Sequence, residues 1–195
     1  GPLLDGKDVV YDGVSFPGLG IANPTPAAAR ANIAEIYAAG ASFLKIYEMV
    51  TPEVFAAIVE EAGARNLPID GHVPLSMRAR DVAPQVQSLE HLRNYEMDCV
   101  EDPELWLAAR QAELANVAKE PGNVLRARLH TLQRLTAITN EDPVVCAETT
   151  EALKATITVP TLRMNSMDLY VPFDREDFDK TMDLIPTSVS EEWRA

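Results

Sequence analysis

Between Thr25 and His91 the chain alternates between two hydrophobic periods. Apolar residues recur at three- and four-residue steps in Ile33-Ile36-Tyr37 and in Val54-Phe55-Ile58-Val59-Ala62, and each set predicts one face of a helix. Each helix opens on a capping residue followed by proline, Thr25-Pro26 and Thr51-Pro52. The side-chain oxygen accepts from free backbone N–H groups there, and proline's missing donor costs nothing. The first helix is expected to run to about Ala39 and stop at Gly40, the second to stop near Gly63. Three short apolar runs read as brief buried strands: Phe43 to Tyr47, Leu67 to His72 and Gln87 to His91. Strand-helix-strand alternation implies a parallel sheet whose strand C-termini emerge on one rim.

Upstream, Val9-Val10-Tyr11 and Val14-Ser15-Phe16 predict one more short strand, and Gly18 to Pro24 reads as a loop. Downstream the pattern changes. From Asp102 to Leu153 only helices are expected, two of them opening at Asp102-Pro103 and Asp142-Pro143. Leu125, Leu129, Leu132, Leu135 and Ile138 form an amphipathic face there, whereas the helix around Leu105 to Val117 is more polar. A strand returns at Thr156 to Leu162, and a short acidic helix is expected around Arg175 to Leu184. The pattern therefore gives four or five parallel strands with a helical insertion at about residues 95–155. A closed eight-stranded barrel usually takes roughly 250 residues, so the sheet is either open or part of a larger barrel.

The 195 residues are 47% hydrophobic and 24% charged, which suits a soluble globular protein with one good-sized core. No apolar run approaches the roughly 18–20 residues that cross a bilayer, so no membrane partner is expected. No signal peptide is visible at the start, and the compartment stays open. The net charge of −13 argues against a nucleic-acid partner. Cys99 and Cys146 match no zinc-finger or CxxC spacing and read as free thiols.

Candidate chemistry sits at the strand ends. Lys45 lies in an apolar strand, where an ammonium needs a partner or must lose its charge. It can pair with a carboxylate such as Glu48. It can form a Schiff base with a carbonyl substrate, and Gly40-Ala41-Ser42-Phe43-Leu44-Lys45 resembles the lysine strand of class I aldolases of the deoxyribose-phosphate type. Or it can react with carbon dioxide to give a carbamate that bridges two metals. His72, after Asp70-Gly71, and His91, after Glu90, end the next two strands, and two such histidines beside a lysine on one rim point to a metal site. His130, on a helix among arginines, reads as a solvated surface residue.

The stretch from about Thr25 to Leu92 resembles the central part of metal-dependent amidohydrolases, in the branch of imidazolonepropionase-like enzymes and prolidase-like dipeptidases. The residues carrying the resemblance are Ala39-Gly40-Ala41 leading into Phe43-Leu44-Lys45-Ile46-Tyr47, then Gly71-His72, then Ser88-Leu89-Glu90-His91. Val159-Pro160-Thr161-Leu162 and the terminal tryptophan region are similar to one subgroup. The resemblance implies an α/β fold, a partial (β/α)8 TIM-like barrel of roughly strands three to seven, with residues 1–195 forming one incomplete barrel domain. It implies that Lys45 is the carboxylated, metal-bridging lysine and that His72 and His91 are metal ligands. Tyr47, two residues beyond the lysine and on the same side, is a weaker candidate for contacting substrate, equally readable as a core aromatic.

The implied activity is hydrolysis of amide or peptide-like C–N bonds by metal-activated water, with one or two zinc ions, or manganese or iron, as cofactor. The implied substrate is a small amide, lactam or dipeptide-like molecule. The family pattern also uses a His-x-His pair on the first strand and an aspartate base on the eighth; this sequence has no His-x-His, so the chain alone is expected to be inactive. Two alternatives stand beside this reading: a Schiff-base lyase using Lys45, and a non-catalytic barrel remnant acting by interaction. The insertion can serve as a pocket wall or as a contact in a homo-oligomer, and the sequence does not choose between these.

Overall fold

The computed structural model describes residues 2–11, 18–91, 93–115, 120–161 and 187. The chain divides into two compact units, residues 1–160 and 161–195, and the first carries all the elements below. Six three-residue strands form one fully parallel sheet: β1 (Leu3–Asp5), β2 (Gly20–Ala22), β3 (Leu44–Ile46), β4 (Ile69–Gly71), β5 (Ser88–Glu90) and β6 (Ile157–Val159). Their order is β2-β1-β3-β4-β5-β6. β3 through β6 are sequential neighbours, while β1 lies between β3 and the edge strand β2.

Helices α1 (Pro26–Ala38) and α2 (Pro52–Arg65) start where the cap-proline pairs predict. The Thr25 hydroxyl accepts from the Ala28 N–H at 3.2 Å and that of Thr51 from the Val54 N–H at 3.4 Å. Side chains alternate along a strand. Leu44 and Ile46 therefore face Ile33, Val54, Phe55 and Ile58 of the two helices, joined by Leu4, Ile69 and Leu89 in one core. Lys45, between them in sequence, is left on the other face.

The N-terminal strands are not where the hydrophobic pattern puts them. Val9-Val10-Tyr11 is irregular, Val14 to Phe16 lies outside the described residues, and the expected loop from Gly18 to Pro24 contains β2. Leu3–Asp5 is too short to show a period, yet it pairs with both β2 and β3. Helix α2 runs past Gly63 and ends two residues later, where Asn66 takes the left-handed turn at φ 54°. Tyr37, assigned to the buried face of α1, is half-exposed under the Arg65 guanidinium, 5.5 Å from its ring centre.

After the short helix α3 (Ala79–Val82) the region between β5 and β6 is helical, as expected: α4 (Pro103–Ala115), α5 (Gly122–Leu129), α6 (Leu135–Thr139) and α7 (Pro143–Leu153). Its hydrophobic phase is not the expected one. Leu125 and Leu129 are buried, but Leu132, Leu135 and Ile138 are 54%, 54% and 51% exposed. A π-helical turn, His130–Arg134, joins α5 to α6 and widens the helix. Four-residue steps then stay on one line instead of drifting, so Leu125, Leu129, Gln133 and Ala137 face inward. Cys99 and Cys146 are also not free thiols: they form a disulfide that ties the segment after β5 to α7, beside the Val100–Glu141 bridge. The acidic helix at Arg175 to Leu184, Val117, Leu162 and the terminal tryptophan lie outside the described residues. Among the described residues no helix is long and apolar enough to cross a membrane.

Candidate metal centre

The strand order reverses between β1 and β3, and in open parallel sheets a crevice forms at the strand C-termini beside such a reversal. Tyr47 and Glu48 follow β3 there, His72 follows β4 and His91 follows β5. Gly71 makes the approach possible. Its φ is 142°, and a Cβ on it would lie 2.2 Å from the Ile46 carbonyl oxygen. His72 therefore emerges hard against β3, with its N–H donating to that same oxygen at 3.2 Å. His91 has a left-handed backbone, φ 65°, a conformation that Asn66 and Asn94 also take. The His91 N–H donates to the Val159 carbonyl at 2.7 Å, so β6 fixes the turn.

The result is a cluster of three donors. One ligand atom each from His72, Glu90 and His91 lie within 4.8 Å of one another, near enough to hold a metal. The two imidazole rings meet edge to face, 4.9 Å between centres. They line an open cavity of about 450 Å³ with Lys45, Tyr47 and Glu90. His91 is the more accessible histidine; burial, and then the neighbouring His72, push its pKa below the usual histidine value. A neutral imidazole with an available lone pair is the form that binds metal.

His72 is almost fully buried, and its Nδ1 lies 2.7 Å from Glu48 Oε1. Its Nε2 is buried with no hydrogen-bond partner among the described residues. A buried polar atom of this kind is rare. Two imidazoles and a carboxylate are a known donor set for catalytic zinc, so the residues fit a divalent cation.

Lys45 is brought to the cluster, but as an ion pair with Glu90 and not with Glu48. Glu90 Oε2 also lies 3.4 Å from His91 Nε2. Tyr47 is buried against His72, 4.4 Å between ring centres, and its pKa is pushed well up by burial and by a hydrogen bond with Tyr11. Its hydroxyl therefore stays protonated. His130 is not a solvated surface residue: its Nε2 is 3.0 Å from Glu48 Oε2, and the side chain is largely covered.

Glu48 is the functional residue that sequence reasoning misplaced. It is fully buried and takes both Arg126 Nε at 2.9 Å and Arg126 Nη2 at 3.0 Å, besides the two histidines. Burial alone would raise its pKa, but hydrogen bonds from His130 and His72 and the Arg126 charge outweigh it and hold the carboxyl far below its usual range. Glu90 is the donor that the sequence reading does not single out, since it stands there only as the residue before His91. The signal for it lay in the spacing, because Ser88 and Glu90 share the strand face that also presents Lys45.

No protein-family model matches the chain, and no curated protein matches it. Among solved structures it is similar to bottromycin amidohydrolase, with a TM-score of 0.41 and 18% identity, covering 77% of this chain and 40% of that one. It is also similar to an uncharacterized protein, with a TM-score of 0.40 and 15% identity, covering 80% of this chain and 41% of that one. The chain thus spans about 40% of the length of each.

Proposed function

We propose that this chain carries the metal-binding part of a hydrolase that cleaves amide-like C–N bonds with an activated water, in small amides, lactams or dipeptide-like substrates. The observation that carries the reading is that one ligand atom each of His72, Glu90 and His91 lie within 4.8 Å of one another, with His72 Nε2 buried and without a hydrogen-bond partner among the described residues. These three residues would hold the metal, zinc best matching the donors and manganese or iron also fitting. A divalent cation held there would supply Lewis acidity, enough to bring the pKa of water to about 7 and to polarise a carbonyl.

The chain's own residues do the rest. Glu48 orients His72, Lys45 balances the charge of Glu90, and Tyr47 packs on the His72 ring and lines the cavity that would take the substrate. The aspartate base that the family resemblance implies belongs to an eighth strand. The sequential run β3-β4-β5-β6 is read as an arc of a larger (β/α)8 barrel, and β2-β1 depart from that order. Parallel sheets are normally covered on both faces, and the exposure of Phe43, Ile157 and Val159 supports a further layer.

Two forms of the centre differ at Lys45. In the two-metal form Lys45, as a neutral amine, would take up carbon dioxide with loss of a proton, and the resulting carbamate would supply further oxygen donors to the centre. In the one-metal form Lys45 stays an ammonium on Glu90, and the ion pair favours this form. Zinc uptake measured by dialysis separates them. Wild type should take up near-stoichiometric zinc with or without bicarbonate. His72→Ala, His91→Ala and Glu90→Gln should bind at least tenfold more weakly, and Lys45→Met should bind within about threefold of wild type. Zinc lost in Lys45→Met and restored by bicarbonate in wild type alone would establish the carbamate. No zinc, together with borohydride trapping of a carbonyl compound on Lys45, would replace the hydrolase with a Schiff-base lyase.

A further inference from the structure

Two side chains four residues apart in the helical insertion, Arg126 and His130, reach the same buried carboxylate. Arg126 closes a two-pronged contact on Glu48, and His130 Nε2 sits 3.0 Å from Glu48 Oε2. Arg93, from the segment after His91, adds a second guanidinium, 3.7 Å from Oε1. In a regular α-helix, side chains four apart drift sideways by about 40° per step, and three in a row would not hold one line. Here the π-turn begins at His130, and Arg126, His130 and Arg134 all turn inward, the last pairing with Glu96. Such turns concentrate at functional sites.

Guanidinium groups only donate, and an ionised carboxylate only accepts. With Arg126 donating to both of its oxygens, Glu48 is an acceptor toward every neighbour. The His72 nitrogen that faces it, Nδ1, must therefore carry the proton. In a neutral ring the lone pair then lies on Nε2, the buried atom without a partner. From this we infer that Glu48 is a positioning residue, clamped by Arg126 and His130 of the insertion, that holds His72 in the Nδ1–H tautomer and so presents Nε2 to the centre. The insertion is then part of the site's construction and not only a wall beside it. The link to metal rests on the proposed function, whereas the tautomer does not.

The test is long-range ¹H–¹⁵N NMR of the histidine rings in the metal-free chain, followed by zinc titration of the same samples. His72 should show a protonated Nδ1 and an unprotonated Nε2. Glu48→Gln should mix the two tautomers and weaken zinc binding about 10- to 100-fold. Should Glu48→Gln not fold, His130→Phe removes one clamping donor at a largely covered position and should shift the same signals partway. A His72 protonated at Nε2 in wild type overturns the inference, as do tautomer populations unchanged in the folded variants. The expected tautomers in a chain that binds no zinc would uphold the positioning role and remove the metal reading instead.

Discussion

At Gly71 the backbones of β3 and β4 pass so closely that any side chain would have to displace one of them. A Cβ would meet Ile46 O at 2.2 Å and Ile46 N at 2.8 Å, at a φ of 142° that L-residues rarely adopt. Gly71→Ala should therefore cost at least about 3 kcal/mol, read as a shift in the denaturant midpoint. A cost under about 1 kcal/mol would mean that the two strands do not approach in this way. Asp5, at the end of β1, is a second residue with a measurable signature. It is buried, accepts N–H groups from Gly6, Val10 and Met49, and burial pushes its pKa up to about 6. A carboxyl with a raised folded pKa favours the fold most at pH values below its unfolded value of 3.8, and this contribution is lost as pH rises toward about 6. The stability of wild type relative to Asp5→Asn should thus fall between pH 4 and 6 and level off above. A difference that is flat across this range would contradict the raised value. Lys45, His72 and His91 could be read as neighbours on one sheet rim, because the first lies within an apolar run and the other two each end one, and the fold does bring them together. Glu48 could not, because its partners Arg126 and His130 lie 78 and 82 positions away and nothing local marks the pairing.

The two cap-proline helices could be read from the chain because their signals are local. A threonine, a proline and an apolar repeat set each start, and the Thr51 and Thr25 hydroxyls do accept as expected. The α5–π–α6 segment could be read only as helical. Five leucine and isoleucine positions spaced at three and four residues predict a regular amphipathic face, but the buried line follows four-residue steps through the π-turn. What competes with the apolar period is the buried Glu48, whose charge must be met by Arg126 and His130; an unpaired buried carboxylate costs more than exposing three aliphatic side chains. The two phases make opposite predictions for mutation. Leu129→Ala should cost about 3 kcal/mol and Leu132→Ala less than about 0.5 kcal/mol in equilibrium unfolding. Equal costs would restore the regular helix.

Across the whole unit, the alternation of strand and helix announced a parallel sheet, and six parallel strands are present. The pairing of β1 with β2 and β3 was hidden because strands of three residues show no period. The Cys99–Cys146 disulfide was hidden because spacing alone does not bring two cysteines together; the fold does, by laying α7 beside the segment after β5. The disulfide closes a loop of 47 residues, which should stabilise the unit by about 4 kcal/mol through the unfolded chain. Cys99→Ala/Cys146→Ala should lose most of that in denaturant unfolding, and a loss under about 1 kcal/mol would mean that the two thiols are not joined. The same arrangement delivers Arg126 and His130 to the rim on which β3, β4 and β5 end, so sheet and insertion build one centre. The most direct measurement of that centre is the zinc K-edge X-ray absorption spectrum of the zinc-loaded chain, compared with His72→Ala and His91→Ala. We expect a first shell with two imidazoles and a carboxylate oxygen, losing one imidazole in each variant. A shell without imidazole, or one that neither variant changes, would contradict a metal centre at His72, Glu90 and His91.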